Sequence, residues 1–384
     1  MACRSAISVR HCYTMIMDLT SKKLIAIVGP TASGKTGIGV RLAKELNGEI
    51  VSADSRQVYR GLDIGTGKEH FDDVCQRLID VVEPPRTNVH FQGVHGSKRF
   101  SVFDWLPLAQ AAIEDIFSRG KVPIVVGGTG LYVQALLEGF HLMPKSKCQI
   151  LNRLTREQLN NLPVRQAGLT IEQLRAMLST LYPQGYPQVD VDNPHRLIRA
   201  IERAQEGLKP TKIKPSFEAL QIGIDLPRSE LYKKIDDRVE SRFSDGMLEE
   251  IIGLIKSGVD VNWLLKLGLE YRIITEFILK NSDSPALPDR INNYESGIKG
   301  QKRYRSSQRR ELPLPGFSLR SKDIVAIAGK LKQLPEYEAM KQELKYRIHA
   351  FARRQLTWFR RFPEIVWLSN YQEIEKTARE FLGS

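Results

Sequence analysis

The sequence predicts an α/β protein: a parallel-sheet core built behind a phosphate-binding loop, with an inserted helical domain. Three observations carry that prediction. Leu24-Ile-Ala-Ile-Val28 reads as a buried strand, Gly29 to Thr36 fit G-x-x-x-x-G-K-[ST], and Ile38 to Leu46 follow at helical spacing. Val122-Pro-Ile-Val-Val126 and Leu220 to Leu226 are further short apolar runs that alternate with helical patterns, as strands of a parallel sheet do. Residues 141–215 hold short amphipathic helical patterns, Pro and Gln, and no convincing strand.

The first stretch organises the rest. Strand, glycine-rich turn and helix is the order a phosphate loop requires, because backbone N–H groups wrap an anion only where no Cβ intervenes. In Gly29-Pro-Thr-Ala-Ser-Gly-Lys-Thr36, Lys35 supplies a point charge and the helix N-terminus adds its dipole. The Thr36 hydroxyl is the candidate ligand for Mg²⁺. The motif specifies phosphate or diphosphate and leaves ATP open.

Composition bounds the partners. With 384 residues the chain is long enough for two or three domains. Its 57 Lys and Arg against 44 Asp and Glu give a formal net charge of +13, which points to an anionic partner, nucleic acid first. Cys3, Cys12, Cys75 and Cys148 form no C-x-x-C pair, so neither a zinc ribbon nor a disulfide framework is expected. No apolar run is long enough to span a bilayer, and a cytoplasmic location is expected. Residues 1–21 read as a loose extension; Arg4, Ser5 and Arg10 give them a faint likeness to an organelle transit peptide.

In chain order, residues 22–140 form the first part of the core. Gly48 to Ala53 reads as a second strand, which places Asp54-Ser-Arg-Gln57 at a strand's carboxyl end, where ligands gather in open parallel sheets. Asp54 and Gln57 also have the spacing of a helix-capping box. Asp63-Ile-Gly-Thr-Gly-Lys68 is a second glycine loop, and Leu78 to Val82 a possible strand. Ser101 opens a helix that runs to Phe117. Gly127-Gly-Thr-Gly130 is either a tight strand-to-helix turn or a substrate loop, with Thr129 the candidate contact.

Within 141–215, Asp192-Asn-Pro-His-Arg-Leu-Ile-Arg199 crowds Arg196 and Arg199 into the first turns of a helix, where they oppose the macrodipole unless they meet an anion. Residues 216–282 return to the core. A helix over Ser229 to Phe243 carries the apolar stripe Leu231, Ile235, Val239, with Arg238 and Arg242 read as its solvated face. Residues 247–257 form another helix. Residues 283–334 read as a basic, flexible insertion, because periodicity fades and Lys299 to Arg310 hold six basic residues and no acid. Residues 335–384 close the core with a helix over Tyr337 to Arg361 and a strand over Ile365 to Leu368. In that helix Leu344, Ile348, Phe351, Gln355 and Phe359 are expected to face the core, with Arg353, Arg354, Arg360 and Arg361 outside.

Taken together, 29–36, Ser-Ala-Asp-Ser-Arg-Gln-Val-Tyr at 52–59, Leu-Asp-Ile-Gly-Thr-Gly-Lys at 62–68, Ser-Val-Phe-Asp-Trp at 101–105, Gly-Gly-Thr-Gly-Leu-Tyr at 127–132, Asn-Pro-His-Arg-Leu-Ile-Arg-Ala-Ile-Glu at 193–202 and Ala-Arg-Arg-Gln-Leu-Thr-Trp-Phe-Arg at 352–360 resemble one family, the tRNA dimethylallyltransferases (tRNA isopentenyltransferases), in that family's order. The resemblance implies a P-loop nucleoside triphosphate hydrolase-like core, with the nucleotide-binding and ATP-binding description that goes with it. It implies transfer of a dimethylallyl group from dimethylallyl diphosphate to N6 of adenosine 37, beside the tRNA anticodon, with Mg²⁺.

The resemblance assigns Asp54, Thr31 and Arg238 to catalysis, Asp54 as the base. It assigns Gly29, Pro30, Thr31, Ala32, Ser33, Gly34, Lys35 and Thr36 to the diphosphate. Asp54, Ser55, Arg56 and Gln57, Thr129, His195, Arg196, Leu197, Ile198 and Arg199, Lys266 and Arg272, and Arg353 and Arg354 are expected to hold tRNA. A monomer acting on dimethylallyl diphosphate and an anticodon stem-loop is expected. The family has no counterpart of 283–334, and this sequence lacks the zinc-binding tail of eukaryotic members. A phosphate-loop kinase, an enzyme prenylating free AMP and a non-catalytic RNA-binding module are the alternatives.

Overall fold

The computed structural model describes residues 22–86, 100–140, 171–205, 215–281 and 322–383. The expected extension at 1–21 and the basic run 299–310 lie outside them. The chain divides into two compact units, one made of Met1–Leu137 with Ser216–Ser384, the other of Glu138–Pro215.

The larger unit is built on a six-stranded sheet in which every pairing is parallel. Its strands are β1 (Lys23–Val28), β2 (Gly48–Ser52), β3 (Gln76–Arg77), β4 (Val122–Gly127), β5 (Glu218–Ile224) and β6 (Ile365–Leu368), in the order β3-β2-β4-β1-β5-β6. Strands β1 and β4 are near-continuous apolar runs because both faces are covered by helices, and β2 is buried from Glu49 to Ser52 although it carries those two polar residues. Helix α1 (Lys35–Glu45) packs Val40, Leu42 and Ala43 on one face, with Ile374 and Ala378 of α12 (Tyr371–Leu382) in the same cluster.

Helix α2 (Val102–Ser118) starts at Ser101 with a capping box to Asp104 and buries Trp105, whose Nε1–H donates to the Ser52 carbonyl at 3.0 Å. Helices α3 (Gly130–Leu137), α6 (Arg228–Asp245), α7 (Met247–Lys256), α8 (Val261–Leu267), α9 (Leu269–Lys280), α10 (Lys322–Lys332) and α11 (Glu336–Phe359) are the unit's other helices among the described residues. In the smaller unit, α4 (Ile171–Leu181) and α5 (Pro194–Gln205) enclose Leu174, Leu178, Leu197, Ala200 and Ile201.

Three expectations are corrected. The strand expected at Leu78 to Val82 falls instead at Gln76–Arg77, because Leu78 (φ 64°) and Asp80 (φ 57°) take left-handed backbone that interrupts the strand; within the expected range only an isolated parallel bridge of Val82 to Tyr59 remains. The proposed capping box at Asp54 and Gln57 caps no helix: a turn follows, and Gln57 bonds Ser52 and Gly67 instead. The patternless stretch expected to reach 334 stops earlier, since α10 buries Ile324, Ile327, Ala328 and Leu331 at helical spacing. That period stands in the sequence but is short and follows a long polar segment.

Candidate active site

Six chain segments meet at the carboxyl edge of the sheet, where a parallel architecture collects ligands. The phosphate loop follows β1. Gly34 at φ 84° is the N-cap of α1, with no side-chain cap and no acid in the first turn, so the first amides of the helix are left to an anion. Ser33 Oγ is buried with no hydrogen-bond partner among the described residues, and a Cβ on Gly29 would lie 3.0 Å from it. Lys35 is folded over the loop, donating to the Pro30 carbonyl at 3.1 Å.

The segment after β2 carries Asp54. Its Oδ1 accepts from the Arg56 N–H at 2.9 Å, an Asx turn that fixes the carboxylate, and its second oxygen makes no hydrogen bond among the described residues. The turn after β4 locks against it: the Thr129 N–H donates to the Ala53 carbonyl at 3.3 Å, and the Ser55 N–H to Thr129 Oγ1 at 3.1 Å. Gly127 is required there, since a Cβ would lie 2.2 Å from the Ala53 carbonyl oxygen. Gly127-Gly-Thr-Gly130 is thus a tight turn, and Thr129 Oγ1 spends an acceptor on the Asp54 segment.

Arginines close the site from α6. Arg238 Nη2 donates to Thr31 Oγ1, joining α6 to the phosphate loop. Arg242, expected on a solvated face, is only 7% exposed; its Nη1 donates to the Gly65 carbonyl at 3.0 Å and to Glu270 at 3.2 Å. Glu270, at 2% exposure, also accepts from Arg56 at 2.6 Å. Buried charge demands such pairing. Burial works against ionisation of Glu270, yet Arg56 and Arg242 hold its carboxyl below the usual range. Burial, then the Arg238 charge, push Lys35 down to about 8; burial and Arg242 push Arg238 down to about 9.

The second glycine loop is not an anion cradle. Its amides are already spent: the Asp63, Ile64 and Gly65 N–H groups donate to buried Glu250 at 2.8, 2.6 and 3.1 Å, and Tyr271 Oη–H donates to the same carboxylate at 2.8 Å. Lys68 is fully enclosed by Asp63, Asp80 and the Tyr59 carbonyl. Between this loop, the phosphate loop and α6 lies a cavity of about 490 Å³, lined among others by Lys35, Thr36, Gly67, Arg238 and Arg242.

Helix α11 supplies Gln355, whose side-chain oxygen accepts from the Thr31 N–H at 2.8 Å while its Nε2–H donates to the Gly128 carbonyl at 2.9 Å. From the sequence Gln355 is expected to face the core, Glu270 and Tyr271 stand unnamed inside the Lys266–Arg272 segment, and Glu250 and Arg242 are not expected at the site. A charged residue inside an apolar period, such as Glu250 in Met-Leu-Glu-Glu-Ile-Ile, was the available signal.

The remaining expected contacts divide. Asp54 and Arg56 lie within charge range of Lys35, Ser55 and Thr129 are bonded to each other, and Gln57 is bonded to Ser52 and Gly67. Lys266 and Arg272 are exposed, Arg272 paired with Glu276 at 2.9 Å. Arg353 and Arg354 are exposed on α11; Arg353 donates to the Tyr232 hydroxyl at 2.8 Å. Phe351 is half-buried rather than in the core, with the Arg56 and Arg354 guanidiniums each 5.8 Å from its ring centre. Leu197 is buried in the core of the smaller unit, and Ile198 is partly buried against it. Arg196 is exposed and pairs with Asp190 at 3.2 Å, and the side chains of His195 and Arg199 lie outside the described set.

Fold and site together define an α/β enzyme of the phosphate-loop class. The IPP transferase family matches residues 57–310, and the Isopentenyl transferase family residues 22–78. A tRNA dimethylallyltransferase 2 of Shewanella sediminis is 39% identical over 70% of this chain and 83% of its own length. A tRNA dimethylallyltransferase 1 of Syntrophus aciditrophicus is 33% identical over 94% of this chain and 99% of its own. Among solved structures, the full-length tRNA isopentenylpyrophosphate transferase of Bacillus halodurans is 29% identical, with TM-score 0.56, over 94% of this chain and 97% of that one. The chain belongs to the IPP transferase family, the family of the tRNA dimethylallyltransferases.

Proposed function

We propose that this protein transfers a dimethylallyl group from dimethylallyl diphosphate to N6 of adenosine 37 in tRNA, releasing diphosphate. The observation that carries the reading is the hydrogen bond from Arg238 to Thr31, which brings a cation of α6 onto the phosphate loop beside the strand end bearing Asp54. Groups that stabilise a departing diphosphate and a carboxylate that can take a proton thereby share one edge of the sheet.

An adenine amino group is a poor nucleophile because its lone pair is delocalised into the ring. As the new C–N bond forms and the donor's C–O bond breaks, the free oxygen of Asp54 accepts the N6 proton, a contribution of about 10²–10⁴-fold for a positioned base. Negative charge gathering on the diphosphate is met by the amides at the start of α1, by Lys35 and by Arg238. The orphaned Ser33 hydroxyl and the uncapped amides of α1 fit a phosphate–Mg²⁺ group, which Thr36 would hold and which would supply further charge neutralisation.

For the RNA, the target base must leave its stack to reach Asp54. Arg353 and Arg354 are the phosphate-contacting cations of the larger unit, and Arg196 that of the smaller. No helix among the described residues is long and apolar enough to cross a membrane, and a monomer working in the cytoplasm is our reading.

The test is a transfer assay with labelled dimethylallyl diphosphate and Mg²⁺, offering unmodified tRNA and AMP side by side. Label on tRNA at adenosine 37 is expected. Label on AMP alone would move the acceptor to free nucleotide, and ATP hydrolysis without transfer would overturn the reading.

A further inference from the structure

The Asp63–Lys68 loop has glycines at 65 and 67, yet its amides are turned inward onto Glu250, so the glycines need another explanation. Both make room for side chains of other segments. A Cβ on Gly65 would lie 2.6 Å from the Tyr271 hydroxyl oxygen, and one on Gly67 (φ +64°) would lie 2.1 Å from Arg242 Nη2. The Gly65 carbonyl meanwhile accepts from Arg242 Nη1 at 3.0 Å. The loop is therefore a bracket through which one guanidinium passes.

That guanidinium ends in the cavity. Nη1 is held twice, by Gly65 and Glu270, while Nε and Nη2 make no hydrogen bond among the described residues, and Arg242 lines the cavity with Lys35 and Arg238. The neighbouring cations differ: Lys68 is spent on Asp63 and Asp80, and Lys234 is paired with Glu230. The cavity lining carries five cations, Lys35, Lys68, Lys234, Arg238 and Arg242, against three acids, Asp63, Glu69 and Asp245, an excess of positive charge suited to a polyanion.

We infer that Arg242 is a second diphosphate-binding arginine, aimed into the donor cavity by the Gly65–Gly67 bracket and held there by Glu270. The inference rests on the proposed transfer for its substrate but on the cavity's geometry for its anion. A rigid guanidinium fork held at one nitrogen presents its other donors without rotamer loss, which suits it to phosphate oxygens. Glu270 is a positioning residue: by also holding Arg56, it ties the donor cavity to the segment that carries Asp54.

The experiment measures inorganic diphosphate binding directly, by calorimetry, on the full chain and on Arg242→Met. Affinity is expected to fall about ten- to hundredfold, with a parallel loss of product inhibition by diphosphate and an unchanged KM for tRNA. Because Arg242→Met leaves Glu270 with one partner fewer, the pair variant Arg242→Met/Glu270→Gln, which removes both charges, is measured beside it. A stable, folded variant of either kind that binds diphosphate as tightly as the parent overturns the inference. Arg242-dependent diphosphate binding without transfer to any acceptor would uphold the inference and overturn the transfer reading instead.

Discussion

Thr31 and Gln355 are joined across 324 residues by a 2.8 Å hydrogen bond from the loop amide to the side-chain oxygen. The same side chain donates to Gly128, so one residue of α11 fixes both the phosphate loop and the turn that abuts Asp54. With that amide spent on Gln355 and its hydroxyl bonded to Arg238, Thr31 links the phosphate loop to both α11 and α6.

Replacing Gln355 by Leu leaves a Thr31 N–H and a Gly128 carbonyl unpaired, at about 1–3 kcal/mol per group. Denaturant unfolding is expected to show that loss, and transfer a larger one than the stability change accounts for. Unchanged stability would mean water replaces both bonds.

Asp54→Ala is expected to lower kcat by about 10²–10⁴-fold while tRNA affinity is little changed. The turn it nucleates is also secured by the Ser55–Thr129 bond, so the fold persists. An active variant would remove Asp54 as base. Lost tRNA binding would assign it to holding the RNA.

The donor's kcat/KM is expected to be flat up to about pH 8 and to fall above it. Burial and the Arg238 charge hold Lys35 at about 8, so the cation that meets the diphosphate is present below that value and lost above it. A diphosphate ester completes its ionisation near pH 6 and adds no slope of its own in this range. The sign for folding is opposite: the depressed lysine makes its charged form a cost below about pH 8, relieved as pH rises, until a bound anion removes that cost. A profile flat to pH 10 would show that Lys35 stays charged.

Arg353→Ala and Arg354→Ala are each expected to weaken tRNA binding and to reduce the slope of log affinity against log salt by about 1, as loss of one phosphate contact does. Donor KM should not move. An unchanged salt slope would make these arginines surface charge, Arg353 serving only its bond to Tyr232.

Local signals carried much of the molecule. The phosphate loop was legible because its strand, glycines and helix are contiguous, and Asp54 because a short apolar strand precedes it. What was not legible depended on partners distant in sequence. Arg242 reads as solvated from helical spacing alone, and only Glu270, 28 residues on, and Gly65, 177 residues before, make its burial affordable. Leu197 lies in a motif that reads as a binding segment, yet its side chain is buried against α4.

The parallel α/β class and the phosphate loop follow from period and glycine placement along contiguous residues, and the excess of positive charge from composition alone. The tertiary structure decided which cations reach the cavity and which are neutralised first. Lys68 and Arg242 both border it, and the carboxylates that enclose one and leave the other's second nitrogen free come together only when the loops fold against α6 and α9. A charge buried in protein takes its meaning from the groups within a few ångströms of it, and chain order does not record those distances.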